Sequence, residues 1–369
     1  MDIKEKVQSL PLTPGVYLMK DAHGSIIYIG KSKSLRKRVQ SYFYNSQSHA
    51  PKIKRLVHHV KDLEIIQTDT EFEAFLLECS LIHKYKPMYN RKMKNPMAYS
   101  YIMVPNSDGL RRVEITHSPA PAKDRVVFGP YTANRSTVDK AVQRIQECFK
   151  IACSHTAAGA ATPCLNHSLG LCLGMCLGGE SLHKYNELMN QFIGLLEGSD
   201  TSLYEEMEQQ MTAASERFDF ETAAKFRDGI KSVNFLLHKE KVIGFVEENR
   251  NIAIYEFMND DTIKLFLIKR STVLFSGKFH VDSSDITQMQ EEVKALISAY
   301  FILDQTAYTA EVGRDEIDEA QIIYSYLQNN ASHYLMIPDE WLDLEKQVEF
   351  NQELASWLRP RDQDEEEHE

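Results

Sequence analysis

Apolar and polar positions alternate, then cycle, then alternate again along this chain. Residues 15–20, Gly-Val-Tyr-Leu-Met-Lys, and 26–30, Ile-Ile-Tyr-Ile-Gly, read as two strands joined by the turn Asp21-Ala22-His23-Gly24. If Lys20 pairs with Ser25, that register places Tyr17 opposite Tyr28, with both rings on one face. A helix follows from about Ser34, and Arg38 and Tyr42 share one side of it. A second helix over 51–61 and a strand over 63–68 come next. Thr70 then opens a helix with a capping box to Glu73, and Pro87 ends it near Tyr85. Ala74, Glu78, Leu81 and Tyr85 form one stripe of this helix, flanked by Phe75 and Ile82. A carboxylate within such a stripe needs a cation or a hydrogen-bond partner to stay ionised.

Residues 96–128 read as short strands and turns, and 136–150 as a helix. Residues 202–238 form a helical hairpin. Its first stripe is Leu203, Met207, Met211, Ala214 and Phe218; its second is Phe220, Ala223, Phe226, Ile230, Val233 and Leu237, with Asp219 as the cap. A hairpin of this size does not bury both stripes by itself, which calls for a partner. From Lys241 the texture turns to strands, at 242–246, 252–258, 262–269 and 272–281. Helices near 284–301, 315–328 and 339–357 and a strand over 334–337 follow. The fold class is α+β and multidomain, divided as 1–95, 96–200, 201–240, 241–358 and a tail over 359–369.

The 369 residues are 43% hydrophobic, which suits several domains with cores of their own. No run of 18 apolar residues occurs, and the opening MDIKEKVQSLPL lacks the apolar segment of a signal peptide, so a cytoplasmic protein with no membrane partner is expected. Net charge is −11, against a general coating of nucleic acid. The charge is uneven, however: residues 31–61 hold nine Lys/Arg and no Asp or Glu. Lys33, Arg36, Lys37, Lys52, Lys54 and Arg55 in this segment are the expected phosphate contacts. The acidic tail, 362–369, reads as disordered.

Four of the six cysteines, Cys153, Cys164, Cys172 and Cys176, are spaced C-x10-C-x7-C-x3-C. Four thiolates hold tetrahedral zinc or an iron–sulfur cluster, and the spacing leaves both open. Cys79 and Cys148 fall outside the pattern and read as core thiols.

Gly15-Val16-Tyr17 and Tyr28-Ile29-Gly30 at hairpin spacing resemble the signature of the GIY-YIG nucleases. The longer run through Lys31, Leu35-Arg36-Lys37-Arg38-Val39 and Ser41-Tyr42-Phe43 is similar to the UvrC family of bacterial nucleotide excision repair. Thr70 to Glu78, Leu81 to Asn90, Phe128-Gly129-Pro130-Tyr131 and the words around Cys164, Cys172 and Cys176 extend the likeness. The resemblance implies a GIY-YIG nuclease domain at the N-terminus, with Glu78 as the carboxylate for Mg²⁺ (or Mn²⁺) and Asn90 as a site asparagine. His83 stands where the family has lysine and reads as a surface difference. The family's cysteines imply a [4Fe–4S] cluster, with zinc as the alternative. Phe218 to Asp228 resembles the UVR motif, which implies that UvrB is a partner, with UvrA acting upstream. Phe218 and Phe220, at the hairpin turn, are the expected contacts. The resemblance covers roughly residues 8–340 and weakens after 235; it implies a form without the second, RNase H-like nuclease and without a helix-hairpin-helix tail.

The expected chemistry is hydrolysis of a phosphodiester in damaged double-stranded DNA. A divalent ion at Glu78 would neutralise oxygens, and Arg38 would stabilise transition-state charge. Tyr17 or Tyr28 would be the base, with Lys31 and the metal favouring its phenolate, and Tyr42 would bind phosphate. Two other readings remain: a non-catalytic UvrB-binding adapter, whose mark would be a decayed site, and a GIY-YIG nuclease of a mobile element or restriction system.

Overall fold

The structure, a computed structural model, describes residues 3–43, 49–90, 93, 99–106, 109–119, 124–155, 158–259, 261–281, 286–303, 312–329, 334–342 and 346–358. The acidic tail lies outside these residues. Two compact units emerge, one from 1–94 with 245–369 and one from 95–244.

In the first unit, strands β1 (Gly15–Lys20), β2 (Ile26–Ser32) and β3 (Asp62–Gln67) form an antiparallel sheet in the order β2-β1-β3. Helices α1 (Ile3–Gln8), α2 (Leu35–Phe43) and α3 (Pro51–His59) cover one face: Val7, Leu35, Val39 and Leu56 pack on Tyr17, Met19 and Leu63. Helix α4 (Glu71–Tyr85) covers the other, where Ala74 and Ile82 meet Val16, Leu18 and Ile29. The Thr70 side chain caps α4 by accepting from the Glu73 N–H at 3.2 Å. The returning Glu73 carboxylate accepts from Asp69 N–H at 2.9 Å, one residue before the expected partner. The helix ends on left-handed Lys86, ahead of Pro87.

The hairpin register differs from the expected one. Lys20 pairs with Ile26, a bulge absorbs Ile27, and Tyr17 lies opposite Gly30 while Met19 lies opposite Tyr28. The two tyrosines therefore sit diagonally on one face; an extra residue in one strand advances the pairing without turning the rings away.

The second unit has a sheet β5-β4-β6 built from β4 (Ser100–Pro105), β5 (Glu114–Thr116) and β6 (Arg125–Tyr131). Helices α5 (Arg135–Cys148), α6 (Leu165–Ser168), α7 (Gly179–Glu197), α8 (Ser202–Glu216) and α9 (Phe220–Glu247) follow. A single core joins Ile102 and Phe128 of the sheet with Ile145 of α5, Met189 and Phe192 of α7, Met207 of α8 and Val233 of α9. Both stripes of the helical hairpin are thus largely buried in their own unit, and the partner argued from unburied stripes is not required by them. The strand expected over 242–246 is helical, because α9 continues to Glu247. A short apolar run reads equally as strand or buried helix, and Val242 and Val246 are both buried here.

The rest of the first unit is a sheet β10-β7-β8-β9 of β7 (Asn251–Asn259), β8 (Thr262–Lys269), β9 (Thr272–His280) and β10 (Tyr334–Ile337). Helices α10 (Ile286–Leu303) and α12 (Gln347–Trp357) supply Val293, Ile297, Phe350 and Leu354 to its core. The helix expected over 339–357 is divided: a short 3-10 turn, Asp339–Leu342, precedes α12. Helix α11 (Arg314–Asn329) packs against α4, where Phe72 meets Tyr326 and Phe266 at ring distances of 4.3 and 5.2 Å.

Candidate active site

Three tyrosines meet on the α2 side of the first sheet. Tyr17 comes from β1, Tyr28 from β2 and Tyr42 from α2, with ring centroids 6.0–6.2 Å apart. The Tyr17 and Tyr42 hydroxyls are 2.9 Å apart, and Tyr42 donates to Tyr28 over a longer 3.4 Å. The Arg38 guanidinium, one turn before Tyr42, lies 5.2 Å from that ring and is close enough to the Tyr17 hydroxyl for the two to shift each other's titration. A hydrogen-bonded chain then runs Tyr17 to Tyr42 to Tyr28, with Arg38 beside it, and the Tyr28 hydroxyl is its last member. Gly30 makes the arrangement possible: a Cβ there would stand 2.3 Å from the Tyr17 hydroxyl oxygen.

Burial raises the pKa of Tyr17 well above the ordinary tyrosine value, and its tyrosine neighbours raise it further. Burial does the same to Tyr28, followed by Tyr42 and, to a smaller degree, the Glu78 carboxylate. Both phenols are therefore held neutral, the opposite of what a ready base needs, and a cation is required to reverse it.

Lys31 is not that cation. Residues alternate across β2, so Lys31 points to the α4 side, with Nζ 3.0 Å from the centre of the Phe75 ring and 3.3 Å from Glu71. The carboxylate of Glu78, half-buried on α4, accepts the Lys31 backbone N–H at 3.1 Å and lies near enough to Tyr28 to act on its titration. Asn90 is buried and grips β2 through its amide: Ile29 N–H donates to Oδ1 at 3.0 Å, and Nδ2 donates to the Ile29 carbonyl at 2.9 Å. It extends the strand edge and does not reach the tyrosines through these bonds.

Of the basic side chains, Lys33, Lys37, Lys54 and Arg55 are exposed and Lys52 is half-buried. Arg36 is also half-buried and donates through Nε to the Leu10 carbonyl, which ties α2 to the chain ahead of β1.

In the second unit the four cysteines gather. Sulfurs of Cys153, Cys164 and Cys176 lie within 4.8 Å of one another, with Cys153 and Cys164 3.7 Å apart. Cys172 stands beside them, its thiol donating to the Met175 sulfur at 3.1 Å, and is close enough to Cys164 and Cys153 for the thiols to act on one another's titration. Backbone N–H groups of His167 and Gly174 each point at a sulfur, Cys164 and Cys172, at 3.4 Å. Burial opposes the Cys164 thiolate, yet the His167 and Ser154 amides and the adjoining thiols bring its pKa down to about 6. Burial pushes Cys153 up to about 12. Four soft donors converging with amide support fit a thiolate-bound metal centre.

Family models match the chain in three consecutive blocks: the UvrC-like GIY-YIG domain over 13–91, the UvrC/Cho excinuclease middle domain over 99–195 and the UvrB/uvrC motif over 201–234. The chain belongs to the UvrC family. It is 33% identical over 348 residues to UvrABC system protein C of Acetivibrio thermocellus, covering 91% of this chain and 55% of that relative. The Moorella thermoacetica protein of the same description is 35% identical over 330 residues, covering 89% and 53%. The chain thus spans about half the length of the curated relatives it matches. Among solved structures it is similar to the GIY-YIG N-terminal endonuclease domain of UvrC from Thermotoga maritima bound to magnesium, its catalytic divalent cation. That likeness is 42% identical, covers 24% of this chain and 96% of that one, and has a TM-score of 0.22.

Within this UvrC-family chain the tyrosine cluster falls in the GIY-YIG block and the cysteines in the middle-domain block. The UVR block is the α8–α9 hairpin, whose turn displays Phe218 and Phe220, 78% and 65% exposed with centroids 6.2 Å apart. Two features escaped the reading of residues alone. Gly30 is a steric partner of Tyr17, which its place in the signature marked without explaining. His83 is no surface residue: its side chain is 12% exposed and hydrogen-bonds Asp318 at 3.1 Å. The helical spacing Cys79-x3-His83 was the available signal. Among the described residues no helix is long and apolar enough to cross a membrane.

Proposed function

We propose that this UvrC-family chain is a divalent-metal-dependent DNA endonuclease that makes one incision, the 3′ one, beside damage in a UvrB–DNA complex. The observation that carries the reading is the convergence of Tyr17, Tyr28, Tyr42 and Arg38 at one point, with Glu78 at its Tyr28 end. Magnesium, the ion of the similar Thermotoga maritima domain, would be held by Glu78 and would supply Lewis-acid neutralisation of the phosphate oxygens.

The chain's own residues divide the remaining work. Tyr28 ends the hydrogen-bond chain and is the more exposed of the two strand tyrosines, so it would be the base: a divalent ion at Glu78 would favour its phenolate, the form that takes a proton from the attacking water. Tyr17, buried, orients Tyr42 and through it Tyr28, and Tyr42 receives phosphate. Arg38, permanently cationic, supports the charge of the transition state. Asn90 holds the β2 edge that carries Tyr28, and Lys31 steadies the Glu71 and Phe75 side of α4. Lys33, Lys37, Lys52, Lys54 and Arg55 steer the DNA backbone toward the cluster, while Arg36 has a fold-holding bond of its own.

Phe218 and Phe220 anchor UvrB, since an exposed aromatic pair at a hairpin turn suits a small interface. The four cysteines hold a soft-metal centre. The family resemblance favours iron–sulfur; the 3.7 Å separation of Cys153 and Cys164 favours zinc, whose tetrahedral thiolates stand about 3.8 Å apart. A metal centre on four thiolates calls for a reducing, cytoplasmic setting, where such cysteines are kept from forming disulfides.

End-labelled damaged duplex, incubated with the chain and Mg²⁺ with and without UvrA, UvrB and ATP, tests the reading. One cut on the 3′ side that needs all components, and is lost in Arg38→Ala and Glu78→Ala proteins of unchanged circular dichroism, is the expected result. UvrB binding without any cut would leave an adapter. Anaerobic protein that is brown and bleaches on Cys172→Ser carries a cluster; colourless protein with a zinc equivalent at these thiols carries zinc.

A further inference from the structure

A second set of metal-ligand side chains lies in the first unit, away from both the tyrosines and the four cysteines. Cys79 and His83 are one helical turn apart on α4, on the stripe that faces α11. Glu319 and Asp318 come from α11. The Cys79 sulfur, an imidazole nitrogen of His83 and a Glu319 carboxylate oxygen all lie within 4.8 Å of one another. His83 Nε2 is 3.9 Å from the Cys79 sulfur and 3.1 Å from Asp318 Oδ2. Cys79 is fully buried, Asp318 is 6% exposed and Glu319 is half-buried.

We propose that Cys79, His83 and Glu319 form a structural Zn²⁺ site that fastens α4 to α11, with Asp318 holding the His83 ring in place from beside it. The donor set is one sulfur, one imidazole nitrogen and one carboxylate oxygen, the mixture that a borderline-soft divalent ion takes. The spacing is right. Tetrahedral zinc with its usual bond lengths holds sulfur and nitrogen about 3.6 Å apart, and nitrogen and oxygen about 3.4 Å apart. The Cys79–His83 separation, 3.9 Å, needs a shift of only a few tenths of an ångström, and Glu319 lies within 4.8 Å of both. Charge also balances: the Cys79 thiolate and the Glu319 carboxylate neutralise the ion, which matters where Cys79 is out of water. Binding displaces the Cys79 thiol proton to solvent, and neutral His83 donates its lone pair. The site joins two helices and lies apart from the tyrosine cluster, so its role is to hold structure. What it holds is α4, the helix that carries Glu78 next to Cys79.

The competing account is a buried His83–Asp318 ion pair beside an inert core thiol. His83→Lys separates the two. Lysine keeps a cation facing Asp318 and so keeps the fold, but it lacks the imidazole ligand. The experiment is metal analysis of the full chain after zinc loading and desalting, for wild type, His83→Lys and Cys79→Ser, with thermal unfolding in parallel. The four-cysteine centre is intact in all three, so any difference belongs to this site. Wild type should hold one zinc equivalent more than either variant, and zinc should raise its melting temperature while leaving that of His83→Lys unmoved. Cobalt substitution should add thiolate-to-metal absorption in wild type that Cys79→Ser lacks. Equal zinc content in wild type and folded His83→Lys overturns the site and leaves the ion pair. If Cys79→Ser does not fold, His83→Lys decides alone.

Discussion

Gly30 lies against the Tyr17 ring so closely that even a methyl group has no room, and the obstacle is a buried aromatic side chain fixed by its neighbours. Gly30→Ala should therefore cost about 1–3 kcal/mol in urea unfolding, the usual penalty of overpacking, and should cut metal-dependent nicking more than stability. An alanine variant with wild-type nicking would mean that Tyr17 need not sit where it does. Tyr17 also makes a pH prediction. Its pKa is raised by burial, then by Tyr42 and Tyr28, so folding favours the neutral phenol. The unfolded phenol ionises near the ordinary value of about 10. The stabilisation is complete below that pH and is lost as pH climbs from there toward the folded value. The melting temperature of wild type should fall between about pH 9.5 and 11 more steeply than that of Tyr17→Phe, given that ordinary value. Parallel curves would show that the Tyr17 environment does not resist ionisation. The residue types of this cluster were legible in the sequence because signature words carry them. The side on which Lys31 emerges was also implicit in the alternation of β2. Its partners, Phe75 and Glu71, were not, because they belong to a helix 40 residues onward.

At the scale of elements, the α8–α9 turn is the most informative case. Phe218 has φ of 59°, a left-handed conformation that disfavours any side chain with a Cβ, and its ring is exposed. Packing inside the unit does not account for an aromatic there. Phe218→Gly should raise stability by about 0.5–1 kcal/mol, since glycine takes this conformation without strain. The same variant should weaken binding to UvrB, measured by titration calorimetry on the full chain, with Phe220→Ala weakening it by about 30-fold, or about 2 kcal/mol. Unchanged affinity in both would remove the turn from the interface. The stripes of these helices were readable from their period. Their burial against α5, α7 and the β4–β6 sheet was not, because amphipathicity reveals that a face is covered and not by what. The run at 242–246 shows the same limit: five residues of mostly apolar sequence suit a strand until the preceding helix is seen to continue through them.

At the scale of the whole molecule, each of the two units has a hydrophobic core of its own, and only the second contains the four gathered thiols. Calorimetry should resolve two transitions, and Cys164→Ser should lower one of them while leaving the other in place. A shift of both together would mean that the units unfold as one. The sequence by itself determined the local elements: the hairpin with its turn, the Thr70 cap, the helix stop at Pro87, the cysteine spacing and the family words. Each is decided by residues a few positions apart, through backbone conformation, capping bonds and alternation. Tertiary structure decided the rest. The bulge at Ile27 set the register that stands Tyr17 over Gly30. The second buried face of α4, with Phe72, Cys79 and His83, exists because α11 covers it, and His83 meets Asp318 across 235 residues of chain. Burial and ion pairing depend on which distant surface arrives, and local sequence preference carries no record of that arrival.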